Sequence, residues 1–276
     1  MNMATIFAES RQLPHIPKVV QELIESFRDD NANANDISRK VALDQALTAK
    51  VLRLANSAHY GLSRTVSNPQ DAVVLLGLST LRTMVLASGV TSAMKAPAGF
   101  DQKTFWRDSF AVASLAKWLA RYMPDGDKET AFTCGMLHSI GLMLIHIVLP
   151  DDAANINESV RLGGHRHTAE TARLGFTSAD VGTELAKRWK FPEEIQQAIQ
   201  DQNNPDLDQP FSNLGGLIYI AKYLHTAHQN DLTEEELVEK FPVRVARHIG
   251  LDLRQIRAAV AECRDLESGF EDILND

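Results

Sequence analysis

Apolar residues recur at intervals of three and four along nearly the whole chain, and this period restricts the fold more than any other feature. In one early segment Val20, Leu23 and Ile24 would share one face of a helix. A later segment places Leu47 and Val51 in the same relation. No alternating apolar and polar run of useful length occurs, and no hairpin dipeptide separates two apolar runs. The pattern therefore predicts an all-α fold.

The charge of the chain restricts its partners. Its 276 residues carry a formal net charge of -8, so the field of the whole molecule repels nucleic acid and anionic lipid. No run of Lys and Arg reverses this effect along the sequence. A nucleic-acid partner is therefore not expected, and only a basic patch assembled by the fold would change this.

Cysteine content and hydropathy indicate a cytoplasmic protein. Cys134 and Cys263 are too few for a disulfide framework, so we expect both to be small buried residues in a reducing compartment. The first ten residues lack the basic and apolar regions of a signal peptide. The longest apolar run, at 140–149, is about half of the roughly 18 to 20 residues that span a bilayer. No membrane association is expected.

Turn-forming residues suggest how the helices are grouped. A proline and a glycine interrupt the helical period in the stretch KAPAGF at 95–100, which is the clearest internal boundary. We therefore divide the chain into an N-terminal helical half at 12–98, a second helical half at 99–230 and C-terminal helices at 231–276 that pack on the domain.

Local signals predict where individual helices start. Asn68 followed by Pro69 is typical of a capped helix start. Thr233 with Glu236 three residues later forms a capping-box pattern. The apolar segment 128–149, which contains the sequence GMLHSIGLML, is expected to be one continuous helix.

Two groups of motifs in the chain resemble those of HDOD domains. The first group runs from 13 to 87 and has an LP-x-hydrophobic-P start, a D-x-x-LT helix entry, an L-x-x-ANSA-x-YG core and an LG before an Arg-bearing helix. Its residues in this chain are Leu13, Pro14, Pro17, Asp44, Leu47, Thr48, Leu52, Ala55, Asn56, Ser57, Ala58, Tyr60, Gly61, Leu76, Gly77 and Arg82. The second group, at 105–120, 135–141 and 179–199, is similar to the other half of the same domains. The resemblance implies an all-α fold and a bacterial signalling or regulatory role, often through protein contacts.

HDOD domains in turn resemble the HD superfamily of metal-dependent phosphohydrolases, in which His and Asp side chains from several helices hold one or two metal ions. A His-Asp pair of that superfamily would fall on His138 and Ser139, so the acid of the pair is missing. The resemblance maps six ligand positions onto this chain, and only the His is intact among Asp108, His138, Ser139, Ser178, Gln202 and Asn203. Because neutral amides and hydroxyls are weak ligands for transition metals, we expect no catalytic residues, no metal and no cofactor.

The histidines have simpler interpretations than metal binding. A lone His on an apolar helix is more often a hydrogen-bonded core residue than a ligand, and we interpret His138 in this way. His165 and His167 are two residues apart and would point to different sides of a helix, so a solvated turn is the simpler interpretation. His225 and His228 are three apart and would hold a metal only with a third ligand nearby.

A polar patch that follows the motif helix is the candidate binding surface. It comprises Arg53, Asn56, Tyr60 and Arg64, which could dock a protein partner or a small anionic ligand. The structural alternative is that Asn56 bonds to backbone groups and ends its helix, after which Gly61 takes a left-handed turn. The sequence leaves both interpretations open.

Two functional hypotheses follow from these observations. The first is a non-catalytic HDOD module that acts through a protein partner or a small ligand, and the substituted ligand positions favour it. The second is a divergent metal-dependent phosphohydrolase that acts on a nucleotide or phosphoester, with Asp108, His138 and Asp180 or a neighbouring acid holding a metal. No receiver or cyclase pattern accompanies the HDOD-like motifs, so we expect a stand-alone domain. Its oligomeric state stays open.

Overall fold

The structure is a computed structural model, and it describes residues 3–8, 13–25, 34–57, 60–203, 205, 207 and 209–267. Within these ranges every regular element is helical and no strand occurs, which confirms the all-α prediction. Ala58, one of the residues that carry the family resemblance, lies outside the described residues. The α-helices, numbered in chain order, are α1 (Ala4–Ala8), α2 (Lys18–Glu25), α3 (Ala34–Ala42), α4 (Gln45–Ala55), α5 (Pro69–Leu76), α6 (Leu78–Ala93), α7 (Gln102–Leu119), α8 (Lys128–Leu137), α9 (Ile140–Val148), α10 (Pro150–Arg161), α11 (Arg166–Leu174), α12 (Ser178–Arg188), α13 (Glu193–Asp201), α14 (Asn213–Gln229), α15 (Glu234–Glu239), α16 (Val243–His248) and α17 (Leu253–Ala259). Two 3₁₀ segments follow α7 and α17, at Ala120–Tyr122 and Val260–Glu267.

The predicted helix starts are confirmed at two places. The Asn68 side chain accepts a hydrogen bond from the backbone N–H of Asp71 at 2.8 Å, and Pro69 is the first residue of α5. At the start of α15, the side chains of Thr233 and Glu236 each accept a hydrogen bond from the other residue's backbone N–H. A cap of this kind stabilises a helix by about 1 kcal/mol, so local sequence determines where these helices begin.

The apolar segment that was expected to form one helix is broken in the structure. It forms α8 and α9, which are separated by His138 and Ser139. Ser139 has φ -109° and ψ 9°, outside the helical range, and its hydroxyl lies 3.0 Å from the hydroxyl of Ser109 on α7. The prediction of a continuous helix is therefore wrong, because a contact with a distant helix holds Ser139 in a conformation that the local apolar period does not predict.

Glycines allow α8 and α9 to approach their neighbours closely. A Cβ at Gly135 of α8 would lie 2.5 Å from the Cα of Ala113 on α7. A Cβ at Gly141 of α9 would lie 2.0 Å from the carbonyl oxygen of Ser178 and 2.4 Å from the amide nitrogen of Gly182, both on α12. Cβ atoms do not reach such distances in folded proteins, so these backbones pack this closely because the side chain is absent.

The buried core is continuous across the predicted internal boundary. Its largest fully buried side chains include Trp106, Trp118, Phe110 and Phe132, from α7 and α8. Helix α6, the last before the boundary, packs on α8, while α14 and the second 3₁₀ segment pack on α7. The stretch 95–100 lies in the non-helical connection between α6 and α7. The division of the chain into three parts stays a prediction.

Burial accounts for the apolar character of α8 and α9. Together with the two residues between them they form the 21-residue segment Lys128–Val148, which by length and composition would suffice to cross a membrane and whose most apolar window has a mean hydropathy of 1.7. The sequence-based expectation missed this because it counted only uninterrupted apolar residues. In the fold, 67% of that segment's most apolar window is buried among other helices. One such segment is weak support for a membrane span, since a core helix has the same composition.

Both cysteines are buried, as the sequence predicted, and neither forms a disulfide within the described residues. Burial, together with the carboxylates of Glu194 and Asp127, raises the pKa of the Cys134 thiol. The Cys263 thiol donates to the carbonyl of Val260 at 2.9 Å. Because the thiolate is the reactive form, the burial of Cys134 makes it a packing residue rather than a nucleophile.

The contact between α9 and α12 predicts a cost for one added methyl group. We expect Gly141→Ala to lower the free energy of unfolding by about 2 to 3 kcal/mol, because the backbones must separate to admit a Cβ. Urea denaturation followed by circular dichroism measures this change. Ala154→Ser adds one atom on the exposed face of α10 and is expected to change stability by less than about 0.5 kcal/mol. Equal stability of the two variants would contradict the role assigned to the close contact.

Candidate functional site

Five of the six positions that the HD resemblance singled out lie around one cleft. His138 and Ser139 come from the break between α8 and α9, Ser178 begins α12, and Gln202 and Asn203 follow α13. The chamber that they line has a volume of about 370 Å³. Residues from three separate parts of the chain therefore meet at the place where the superfamily would hold its metal.

Further residues of this chamber were not found by sequence reasoning. They are Arg166 and Glu170 on α11 and Lys222 on α14, while His165 and His167 lie at the exposed start of α11. One signal for Lys222 was available, because a lysine in the apolar run LIYIAKYL needs a partner or a functional reason. Arg166 and Glu170 carry no comparable signal, since helical surfaces commonly have Arg and Glu four residues apart.

Lys222 places an amino group among the mapped ligand positions. Its Nζ donates hydrogen bonds to the side-chain oxygens of Asn203, at 2.5 Å, and Gln202, at 3.1 Å. Burial lowers the pKa of Lys222 to about 8, and the carboxylate of Glu170 opposes this shift. The group is therefore mostly a cation at neutral pH, and its positive charge occupies the same part of the cleft as the amide oxygens.

The Gln202 side chain is held from both ends. It is buried, and its Nε2 donates to the carbonyls of His138, at 2.5 Å, and Ile199, at 3.0 Å. These two bonds orient the amide so that its oxygen accepts from Lys222. Gln202 thus connects the end of α8, the end of α13 and the middle of α14, which is a structural role in addition to lining the cleft.

Glu170 is a buried carboxylate at the wall of the chamber. One of its oxygens accepts hydrogen bonds from the backbone N–H of Ser178, at 2.7 Å, and from the Ser178 hydroxyl, at 3.0 Å. Its other oxygen lies 3.9 Å from Nη1 of Arg166 and has no hydrogen-bond partner within the described residues. A buried carboxylate is stable only near positive charge, so Glu170 is expected to depend on Arg166 and Lys222.

His138 is a neutral imidazole in this environment. Its Nδ1 lies 2.6 Å from the carbonyl oxygen of Gly135, which requires a donor at Nδ1. Burial lowers the pKa of His138 to about 3, and the charge of Lys222 acts in the same direction. The interpretation of His138 as a hydrogen-bonded residue therefore agrees with its geometry.

Asp108 lines a second, adjoining chamber of about 240 Å³. Its carboxylate lies 3.6 Å from Nε2 of His225 on α14 and 3.4 Å from the guanidinium of Arg107. His138 and Lys222 line both chambers, whereas Asp108 does not line the first. The Asp108 carboxylate, which could have taken the place of a metal-binding His, thus contacts His225 and Arg107 instead.

The side chains of the cleft do not fit a metal ion. Over the described ranges, no group of three or more His, Cys, Asp or Glu side chains is arranged to hold one. Asp180, which the hydrolase hypothesis required, caps α12 by accepting from Thr177 and accepts a further bond from Gln200. The ammonium of Lys222 adds electrostatic repulsion to a set of ligands that is already weak.

The two histidines of the pair on α14 face different partners. His225 faces Asp108, whereas the Nε2 of His228 lies 3.5 Å from the thiol of Cys263. His165 precedes α11 and His167 lies in its first turn, and both are exposed at the mouth of the first chamber. His165 and His167 are thus solvent-exposed and lie at the start of a helix, and not only in a turn.

In the candidate binding surface Asn56 is exposed and Tyr60 is partly buried. Asn56 exchanges two hydrogen bonds with the backbone of Val66, at 2.7 and 2.9 Å, and Gly61 has a positive φ of 52°, as the structural alternative expects. The ring of Tyr60 lies 5.6 Å from the ammonium of Lys117, and burial raises the pKa of its hydroxyl. Arg53 and Arg64 are exposed. Binding at this surface stays a prediction.

Comparison with known proteins finds a matching family and solved structures with the same fold. The HDOD domain profile matches residues 13–205. A crystal structure from Shewanella amazonensis SB2B, of a protein named provisionally as a phosphohydrolase, is 34% identical with a TM-score of 0.84, over 99% of this chain and 100% of that one. An HDOD domain protein of unknown function from Geobacter sulfurreducens is 23% identical with a TM-score of 0.79, over 98% of this chain and 97% of that one.

Two further relatives differ in length from this chain. A structure from Marinobacter aquaeolei VT8, of a protein named provisionally as a signal transduction protein, is 24% identical with a TM-score of 0.78, over 96% of this chain and 60% of that one. A curated protein of Treponema pallidum (strain Nichols) is 23% identical over 205 residues, or 73% of this chain. The match spans only 39% of that relative's length. At this identity, the Geobacter and Marinobacter structures indicate the fold alone.

The neutral state of His138 predicts a dependence of stability on pH. Below pH 6.5 the unfolded chain takes up a proton at this residue that the folded chain does not, because the folded pKa is about 3. The stability from neutral His138 is thus complete above pH 6.5 and falls by up to about 1.4 kcal/mol per pH unit below it. Urea titrations between about pH 4 and pH 6.5 measure the slope.

We expect His138→Gln, which cannot take up this proton, to have a shallower slope of stability against pH than the wild type. His248→Gln changes an exposed histidine on α16 and should keep the wild-type slope. A wild-type slope in both variants would contradict the assignment of a buried neutral state to His138.

Proposed function

The chain belongs to the HDOD family, and on this basis we propose that it is a non-catalytic signalling or regulatory module that acts by binding a protein or a small ligand. One observation carries the proposal. The ammonium of Lys222 is hydrogen-bonded to Gln202 and Asn203, which are two of the positions where the HD superfamily would hold its metal. A fixed cation therefore takes part of the space in which a hydrolase of that superfamily would need a metal.

Electrostatics supports this proposal over a hydrolase. Two like charges a few ångströms apart repel by several kcal/mol at the effective dielectric of a protein cleft. A metal would also have to draw the oxygens of Gln202 and Asn203 away from Lys222, and these oxygens are neutral ligands. Glu170, the carboxylate that lines the first chamber, would offer a metal one oxygen at most, because its other oxygen accepts two hydrogen bonds from Ser178.

Helix α8 supplies a physical connection for a regulatory role. Its last turn adjoins His138 at the cleft, and Glu129 in its first turn forms a 2.6 Å ion pair with Lys117 on α7. The same carboxylate lies 3.5 Å from the hydroxyl of Thr80 on α6. A ligand in the cleft would change the N-terminal surface only through unequal affinity for two positions of these helices. A cytoplasmic location is part of this proposal.

The alternative is a divergent metal-dependent phosphohydrolase. The provisional name of the Shewanella protein points in this direction, and Asp108 and His138 both line the second chamber. That pair would need at least one further ligand, because catalytic metal sites commonly have three protein ligands. Asp180 is unsuited to this role, since both of its oxygens take part in other hydrogen bonds.

Metal content distinguishes the two functions. The chain, purified without a histidine tag or chelator and supplied with Mn, Fe, Mg and Zn, is expected to hold less than about a tenth of an ion per chain. Elemental analysis measures this value, with His138→Ala as the test variant and the exposed His248→Ala as the control. About one ion per chain, lost in His138→Ala and kept in His248→Ala, would overturn the proposal and make a phosphoesterase assay decisive.

A further inference from the structure

We propose that the first chamber binds the oxyanion group of a small metabolite, a phosphoryl or carboxylate group, through Lys222 and Arg166 and without a metal ion. This inference rests on the proposed function and names the class of ligand that it would use. The chamber is bounded by the α8–α9 break, α11, α12, the end of α13 and α14.

The charges around the chamber favour an anion. Lys222 and Arg166 contribute two positive charges, and the carboxylate of Glu170 contributes one negative charge. His165 and His167 stand at the mouth of the chamber. The chain has a net charge of -8, so its overall field does not attract anions. The positive charge of this chamber would therefore attract an anion only through short-range contacts.

Both cations retain hydrogen-bonding capacity toward the chamber. The ammonium of Lys222 has three N–H groups, and its two bonds to Gln202 and Asn203 use two of them. Arg166 donates from Nη2 to the side-chain oxygen of Asn157 at 2.9 Å, which orients the guanidinium and leaves its other N–H groups for a ligand. An oriented guanidinium next to an ammonium is a common arrangement for binding phosphoryl and carboxylate oxygens.

Glu170 also has a place in this site. One of its oxygens is occupied by Ser178, and the other is buried without a hydrogen-bond partner among the described residues. That oxygen is an acceptor, so it would suit a hydroxyl or amino group on the ligand next to the oxyanion. The ligand that best fits the walls is therefore a metabolite with both an anionic group and a hydrogen-bond donor.

The size of the chamber agrees with this class of ligand. Its volume of about 370 Å³ lies near the lower end of the roughly 300 to 1,000 Å³ that small-molecule sites occupy. The first turn of α11 adds backbone N–H groups at the mouth, because the side chain of His165 makes no capping hydrogen bond there. These N–H groups are additional donors, whereas Lys222 and Arg166 supply the positive charge of the chamber.

Calorimetric titration of the full chain with inorganic phosphate tests the proposal, in a chloride buffer of low ionic strength that contains a metal chelator. We expect saturable binding with a dissociation constant below about 10 mM. Titration with succinate distinguishes the sources of the oxyanion, because stronger binding of phosphate would assign the site to phosphoryl ligands and stronger binding of succinate to carboxylate ligands.

Two arginine variants on the same helix locate the binding. Arg166→Gln is expected to weaken binding of the better probe about tenfold, because a charge-assisted contact is lost. Arg173→Gln makes the same chemical change at an exposed position of α11 that pairs with Asp152 and does not line the chamber, so its dissociation constant should stay within about twofold of the wild type. Equal weakening in both variants would overturn the proposal, since it would indicate a general charge effect.

Lys222→Met provides a second test if its circular dichroism is that of the wild type. It should weaken binding at least about tenfold, whereas Lys187→Met on the exposed face of α12 should not. If the wild type binds neither phosphate nor succinate, this inference is overturned. The proposed function would still stand in that case, provided that elemental analysis finds the chain free of metal. Binding that occurs only without the chelator would overturn both, because the anion would then be held by a metal.

Discussion

The close contact between α9 and α12 is the constraint on which the rest of the site depends. Gly141 and Gly182 let the two backbones touch, and Gly141 lies two residues after Ser139, where α8 and α9 are separated. The break in turn presents the carbonyl of His138 to Gln202, whose amide then faces Lys222. A chain of short contacts thus runs from two glycines to the charged group at the centre of the cleft. Close packing transmits such a constraint because protein interiors have little free volume.

Lys222 changes what an HD-like scaffold is able to do. In a metal site the positive centre is an ion with several open coordination positions, and it polarises water or a phosphoryl oxygen. An ammonium attracts an anion and donates hydrogen bonds, but it has no open coordination position and does not activate water in this way. The combination of Lys222 with Arg166 therefore suits binding better than hydrolysis. Burial lowers the pKa of Lys222 to about 8 and the carboxylate of Glu170 opposes this shift, so the group stays mostly a cation at neutral pH.

The helices were the part of the structure that sequence reasoning predicted best. Helix starts at Asn68 and Thr233 depend on contacts between residues three positions apart, and the sequence contains all the information on such contacts. The break at Ser139 was missed because it depends on Ser109, thirty residues earlier. The family resemblance mapped six ligand positions, and five of them line one cleft in the structure, but it did not predict their hydrogen-bond partners. Arg166 and Glu170 were overlooked, since their burial follows from helices that pack far from them in sequence.

The sequence by itself determined the all-α class, the ends of several helices and the loss of the acid next to His138, because each depends on residue type and short-range spacing. Only the tertiary structure decided which side chains surround His138. The partners of Lys222 lie about twenty residues away, just after the end of another helix, and Gln202 reaches a carbonyl 64 residues earlier. Whether a lysine is a solvated surface residue or a partly buried cation depends on the helices around it. Desolvation and long-range hydrogen bonding are properties of the packed chain, and no local pattern in the sequence contains them.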